Sequence, residues 1–215
     1  MKSYKLDFLH LCIDAGILRF GEFTLKSGRI SPYFFNAGMF NTGGLLQAAA
    51  NAYADLIADS INDSLLLYGP AYKGIPLAAA TALQLQARHD RSVPYTFNRK
   101  EAKDHGEGGN LVGAELRGNV VIIDDVITAG TSVNESVDII RGSGATLNSI
   151  VIALDRQEKA PDSDVSAVQR VQDTLGVPVY SILSLAELIE HASDSELLAP
   201  HAAQMTAYRD AYGVT

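Results

Sequence analysis

Hydrophobic positions along this chain follow two rhythms that trade places. Leu65–Tyr68, Val93–Phe97, Val120–Ile123, Ile150–Leu154 and Val177–Ile182 are short apolar blocks, the length and composition of strands. Between them, Ile75–Ala87, Val133–Arg141 and Val165–Leu175 read as helices. Val133, Val137 and Ile140, spaced four and three apart, make the clearest of these stripes. Leu185–Ala192 and roughly Ser195–Tyr212 add two more helices. Such repeated strand–helix units predict an α/β fold, a parallel sheet flanked by helices on both faces with right-handed crossovers. Val120–Ile123 is an unbroken β-branched run, the pattern of a strand buried on both faces, and belongs at the sheet's centre. Pro94 puts its strand's start close by, or the strand near an edge.

The first 40 residues keep a different rhythm. Tyr4–Leu18 is helical, with Phe8, Leu11, Cys12 and Ala15 on one face and an end near Gly16. Phe20–Leu25 and Ile30–Phe35 read as strands joined by a turn at Lys26-Ser27-Gly28-Arg29, and Gly43–Ser60 as an Ala- and Leu-rich helix. Residues 1–40 are therefore expected to form a small cap over the sheet, within a single domain spanning 1–215.

The chemistry gathers where strands end. Asp124 and Asp125 follow the central strand at once, and Thr128, Ala129, Gly130, Thr131 and Ser132 lead into the next helix. Ser132 with Glu135 three residues on makes a capping box, and Gly142 is the stop. A small-residue loop entering a helix presents backbone N–H groups to a phosphate at the carboxyl edge of the sheet, where open α/β sheets bind ligands. The carboxylates beside it could hold the vicinal hydroxyls of a ribose or the water shell of a magnesium ion. Asp is also a common strand-ending residue, but an acidic pair between an apolar strand and such a loop is far rarer. Gly69-Pro70-Ala71-Tyr72-Lys73-Gly74 lies at another strand end and brings a lysine within reach of an anion. It is not a Walker A loop.

Residues 98–110, Asn-Arg-Lys-Glu-Ala-Lys-Asp-His-Gly-Glu-Gly-Gly-Asn, break the rhythm. Charged, glycine-rich and too poor in apolar residues to pack, they read as a mobile lid loop rather than a solvated hairpin tip.

The totals narrow the field. A chain of 215 residues with 47% hydrophobic positions can bury a substantial core, and a net charge of −8 argues against non-specific nucleic-acid binding. One cysteine, Cys12, excludes an internal disulfide and reads as a buried inert thiol. No apolar run approaches a bilayer span and the N-terminus is not a signal peptide, so a cytoplasmic protein without a membrane partner is expected. His10, His89, His191 and His201 lack paired ligand spacing and read as structural.

Phe20-Gly21-Glu22-Phe23-Thr24-Leu25-Lys26-Ser27-Gly28-Arg29 followed by Ser31-Pro32-Tyr33-Phe34-Phe35-Asn36 resembles the amino-terminal signature of orotate phosphoribosyltransferases. The motifs at 69–74, 98–106 and 124–132 match the same family in the same order. The resemblance implies the type I phosphoribosyltransferase fold and transfer of ribose 5-phosphate from phosphoribosyl pyrophosphate (PRPP) to orotate. The products would be orotidine 5′-monophosphate and pyrophosphate, with magnesium as cofactor. It implies that Asp124, Asp125, Val126, Ile127, Thr128, Ala129, Gly130, Thr131 and Ser132 receive the ribose and 5′-phosphate. Tyr72, Lys73, Arg99, Lys100, Lys103 and His105 would meet the diphosphate. Lys103, His105, Asp124 and Asp125 would be catalytic. Lys26, Phe34, Phe35, Thr128 and Arg156 would contact orotate. Magnesium would be held mainly by PRPP and water near Asp124 and Asp125. Members of the family work as homodimers with the lid shared between subunits. Two rivals remain open: a purine phosphoribosyltransferase, which would lack the Lys26 and Phe34-Phe35 features, and a non-catalytic PRPP-sensing regulator, which would need a nucleic-acid-binding module.

Overall fold

The computed structural model describes residues 1–25, 27–103, 109–128, 130–160, 163–192, 195 and 198–214, the side chains of residues 102, 103, 109 and 131 excepted. Its organising element is β6 (Asn119–Asp124), buried from Val120 to Asp124. Because side chains alternate along a strand, β6 feeds two cores. Val121 and Ile123 face α2 (Gly43–Ser60) and α3 (Gly74–His89), while Val120 and Ile122 face α4 (Thr131–Gly142) and α5 (Ala167–Leu175). The neighbours β3 (Leu66–Gly69) and β7 (Thr146–Asp155) divide in the same way, Leu67 and Val151 on one side, Leu66 and Ile150 on the other. Val133, Val137 and Ile140 of α4 are each at most 2% exposed, as their spacing predicts.

The sheet runs β5-β4-β3-β6-β7-β8, with β4 at Tyr95–Lys103, β5 at Gly109–Gly113 and β8 at Val179–Ser184. Every neighbouring pair is parallel except β4 with β5. The fold is thus α/β, a mostly parallel sheet flanked by helices. α1 (Ser3–Asp14) precedes a separate antiparallel pair, β1 (Leu18–Thr24) and β2 (Ile30–Phe35). Phe8, Cys12, Leu18 and Tyr33 from this N-terminal piece share the α2–α3 core with α6 (Leu185–Ala192) and α7 (Ala202–Tyr212). Burial pushes the Cys12 thiol far up and leaves it inert.

Three expectations need correction. Residues 98–110 are not simply a loop: β4 continues to Lys103 and pairs with β5, Asn98 opposite Leu111 and Lys103 opposite Gly109, with a shift of register between the two. An antiparallel arm satisfies its backbone by cross-strand hydrogen bonds, so a low apolar content does not forbid extended structure. Residues 104–108, His105 among them, lie outside the described residues. Second, the expected last helix is divided: a 3-10 turn at Ala199–His201, with Pro200 in its first positions, leads into α7. Third, β8 begins at Val179 rather than Val177. Gly176, at φ 70°, closes α5, and the Pro178 carbonyl accepts from Ile150 N at 3.1 Å where the strand joins the sheet. Pro94 likewise precedes its strand, which is one place in from the edge.

Candidate active site

Parallel strands end on one edge, so the termini of β3, β4, β6 and β7 open onto a common crevice. β6 delivers Asp124 and Asp125 there, only 8% and 7% exposed. The turn from β3 to α3 delivers Lys73, whose Nζ lies 2.7 Å from Oδ2 of Asp125. That turn is tightly seated. A Cβ on Gly74 would lie 2.5 Å from Pro70 Cδ and 2.8 Å from the Ile123 carbonyl oxygen, and one on Gly69 would lie 2.3 Å from the Gly74 carbonyl. Gly74→Ala is therefore expected to cost ~1–3 kcal/mol through overpacking. At ~2–4 °C per kcal/mol for a chain of this size, the melting temperature should fall by several degrees. A melting temperature within a degree of the parent's would show that the turn yields.

β4 completes this side. Oδ1 of Asn98 accepts a hydrogen bond from Ala71 N at 2.9 Å, and Lys100 Nζ sits 5.5 Å from the centre of the exposed Tyr72 ring. Neither Asn98 as an anchor nor Tyr53, whose hydroxyl donates to the Asp124 carbonyl at 2.8 Å, is visible from sequence pattern. Arg99 is half-buried and Lys100 exposed, both in the part of β4 where the pairing with β5 shifts register. Lys103 has its backbone in β4, but its side chain lies outside the described residues.

The two carboxylates differ in surroundings. Asp125 Oδ1 accepts from Val126 N at 3.0 Å while Oδ2 holds Lys73. Asp124 accepts from Asp125 N at 2.9 Å and from Ser132 Oγ at 3.4 Å, with no cation beside it in these contacts. Burial first, and then the neighbouring Asp125, raises the Asp124 carboxyl from 3.8 to about 7. The unfolded chain then loses this proton at lower pH than the folded one. This stabilising contribution is complete at acid pH and lost as pH rises towards about 7. Asp124→Asn keeps the shape without the charge. Thermal melts should place the variant above the parent by a margin that widens from acid to neutral pH. A pH-independent margin would mean that Asp124 titrates as an ordinary carboxylate.

The loop after β6 meets the expected chemistry by a different local route. The α4 N-cap is Gly130, at φ 77°, and no side chain caps the helix. Ser132 sits inside the first turn and its hydroxyl turns to Asp124, so the capping box does not form. A Ser-x-x-Glu pattern is read locally, whereas the acceptor that wins here comes from the strand before. An uncapped helix start leaves first-turn N–H groups for an anion. Val126 and Ile127 pack into the two cores, so what they can offer a ligand is backbone. Thr128 is exposed; Ala129 and the Thr131 side chain lie outside the described residues.

Of the orotate candidates, Arg156 stands just past β7, with Nη2 donating to Ser31 Oγ at 3.3 Å and the guanidinium 4.9 Å from the centre of the Tyr33 ring. Phe35 is 9% exposed and packs against Phe40, so its ring belongs to the core and cannot wall a ligand. Phe34 points the other way, its ring 5.6 Å from that of Phe23. Adjacent residues on a strand cannot face one ligand together. Lys26 lies outside the described residues.

An anion cradle, two carboxylates and a lysine in one crevice suit a phosphorylated sugar bearing a second anionic group. Among the described residues no cluster of three or more His, Cys, Asp or Glu forms a cage. Magnesium is commonly held by one or two carboxylates together with substrate phosphates, and this donor set fits that arrangement. No helix among the described residues is long and apolar enough to cross a membrane.

Residues 41–180 match the family model of the phosphoribosyl transferase domain. The chain is 56% identical to the orotate phosphoribosyltransferase of Thioalkalivibrio sulfidiphilus and 54% identical to that of Pseudomonas syringae pv. tomato, in each case over 100% of both chains. The crystal structure of orotate phosphoribosyltransferase from Francisella tularensis superposes with a TM-score of 0.85 at 42% identity, covering 96% of this chain and 98% of that one.

Proposed function

The chain belongs to the orotate phosphoribosyltransferase family, and from that premise we propose how its crevice carries out the reaction. The activity is transfer of ribose 5-phosphate from PRPP to orotate, yielding orotidine 5′-monophosphate and pyrophosphate. The bond from the anomeric carbon to pyrophosphate breaks as the orotate ring nitrogen approaches from the opposite face. Positive charge gathers on the ribose and negative charge on the departing diphosphate. No covalent nucleophile is required, so catalysis comes from orientation and from charges placed in advance.

The 5′-phosphate would sit on the N–H groups of Thr128 to Ser132 at the start of α4. Asp124 and Asp125 would take the ribose hydroxyls, close to the building positive charge. Lys73, Lys100, Arg99 and Lys103 would meet the diphosphate, with Tyr72 beside them and His105 donating a proton or helping to close the β4–β5 arm. Magnesium, when bound, supplies further neutralisation of the diphosphate oxygens. Lys26 and Arg156 would pair with orotate, with Thr128 and the Phe34 and Phe35 backbone alongside. The enzyme would work as a cytoplasmic homodimer, each β4–β5 arm serving the neighbouring crevice. The observation that carries this reading is the 2.7 Å contact of Lys73 with Asp125, which brings the anion-binding turn and the carboxylate pair into one site.

Ultraviolet difference spectra of orotate with PRPP and magnesium, with and without the protein, test it. Orotate absorbance should decay only when all components are present and should stop on chelation. Hypoxanthine and adenine should give no change. An unchanged orotate spectrum with active PRPP would sink the reading, and persistence after chelation would remove magnesium from it.

A further inference from the structure

A guanidinium can receive a flat carboxylate on either of two edges, and a neighbour that occupies one edge decides which is left. At Arg156 one edge is taken. Nε donates to Oε1 of Glu158 at 2.7 Å, and Nη2 donates to the same oxygen. The Arg156 and Glu158 side chains are only 13% and 16% exposed. Nη2 also reaches Ser31 Oγ, and the Tyr33 ring lies against the guanidinium. Nη1 has no hydrogen-bond acceptor among the described residues.

Glu158 is itself held from several directions. Tyr208 of α7 donates to Oε1 at 2.9 Å, and Arg29 Nη1 lies 3.7 Å from Oε2. The main chain at Glu158 forms an antiparallel bridge with Gly213, and Lys159 N donates to the Tyr212 carbonyl at 2.8 Å. Arg29 in turn lies over the Tyr212 ring. Glu158 thus ties two sequence-distant segments, the turn at Arg29 and the C-terminal stretch from Tyr208 to Gly213, to one arginine.

We infer that Glu158 is a positioning residue for orotate: it occupies the Nε–Nη2 edge of Arg156 and presents the Nη1 edge to the carboxylate of the pyrimidine. This rests on Arg156 being an orotate ligand. A glutamate that merely neutralised a buried arginine would affect folding, whereas a positioning glutamate affects the two substrates unequally.

Steady-state kinetics with each substrate varied in turn separates these roles. Glu158→Gln keeps the shape and one acceptor oxygen, and should raise the orotate KM by on the order of 10-fold. Glu158→Ala should raise it further, with kcat and the PRPP KM within about twofold of the parent in both. In an Arg156→Ala background Glu158→Gln should have no further effect on the orotate KM, because the two act as a unit. Should Glu158→Gln be too unstable to assay, Tyr208→Phe removes a donor to the same Oε1 and should show the same unequal signature. An unchanged orotate KM, an equal rise in both KM values, or an undiminished effect without Arg156 would overturn the inference. An unchanged orotate KM in Arg156→Ala alone would instead overturn the ligand role of Arg156, and the inference with it.

Discussion

Asp125→Asn is expected to lower kcat/KM for PRPP by ~10²–10³-fold, the usual consequence of removing one preorganised polar group from a site that works by electrostatics. Oδ1 can still accept from Val126 N, so the loop keeps its local anchor. Oδ2 becomes an amide nitrogen facing the Lys73 ammonium, and the attraction at 2.7 Å turns into repulsion. Lys73 then loses the restraint that holds it in the crevice, and the charge proposed to stand beside the ribose is gone. Stability should change little. The Lys73 side chain is 56% exposed, so the pair is worth at most ~1 kcal/mol after solvent screening, and losing a charge beside Asp124 offsets part of that. A collapsed melting temperature with PRPP binding intact would make Asp125 a structural turn residue.

Lys103→Ala should fold normally and lose ~10²–10³-fold in turnover, through a missing charge on the departing diphosphate. Residue 103 ends β4, at the far end of an arm stabilised by backbone pairing with Gly109. Turnover within twofold of the parent would remove its role. The same variant tests the shared arm. Mixing Lys103→Ala with Asp125→Asn protein, under conditions that exchange subunits, should restore activity. On the proposed shared arm, the intact arm of one chain in a two-fold mixed dimer would enter the intact crevice of the other. Verified heterodimers as inactive as their parents would confine each arm to its own crevice.

Local pattern carried a large part of this protein. The β-branched run at Val120–Ile123 specified a strand buried on both sides, and the spacing of Val133, Val137 and Ile140 specified the face of α4, because both depend on side-chain periodicity along a single element. The position of Asp124, Asp125 and Lys73 at strand ends followed once the units were recognised as strand–helix repeats. The motifs, read in order, pointed to the family.

What tertiary structure alone decided are pairings between residues far apart in the chain. Ser132 caps nothing because folding sets its hydroxyl against Asp124, and Asp124 holds its proton unusually tightly because β6 buries it beside Asp125. The polar stretch from Asn98 becomes a strand because β5 pairs with it at both ends, at Asn98 and at Lys103. Phe35 joins the core while Phe34 does not, a choice set by which side of β2 meets α7. Arg156, Glu158, Tyr208 and Ser31 meet across the whole length of the chain. Such contacts have no sequence period, since they arise only when separately formed elements are packed, and burial then sets the protonation and direction of each polar group.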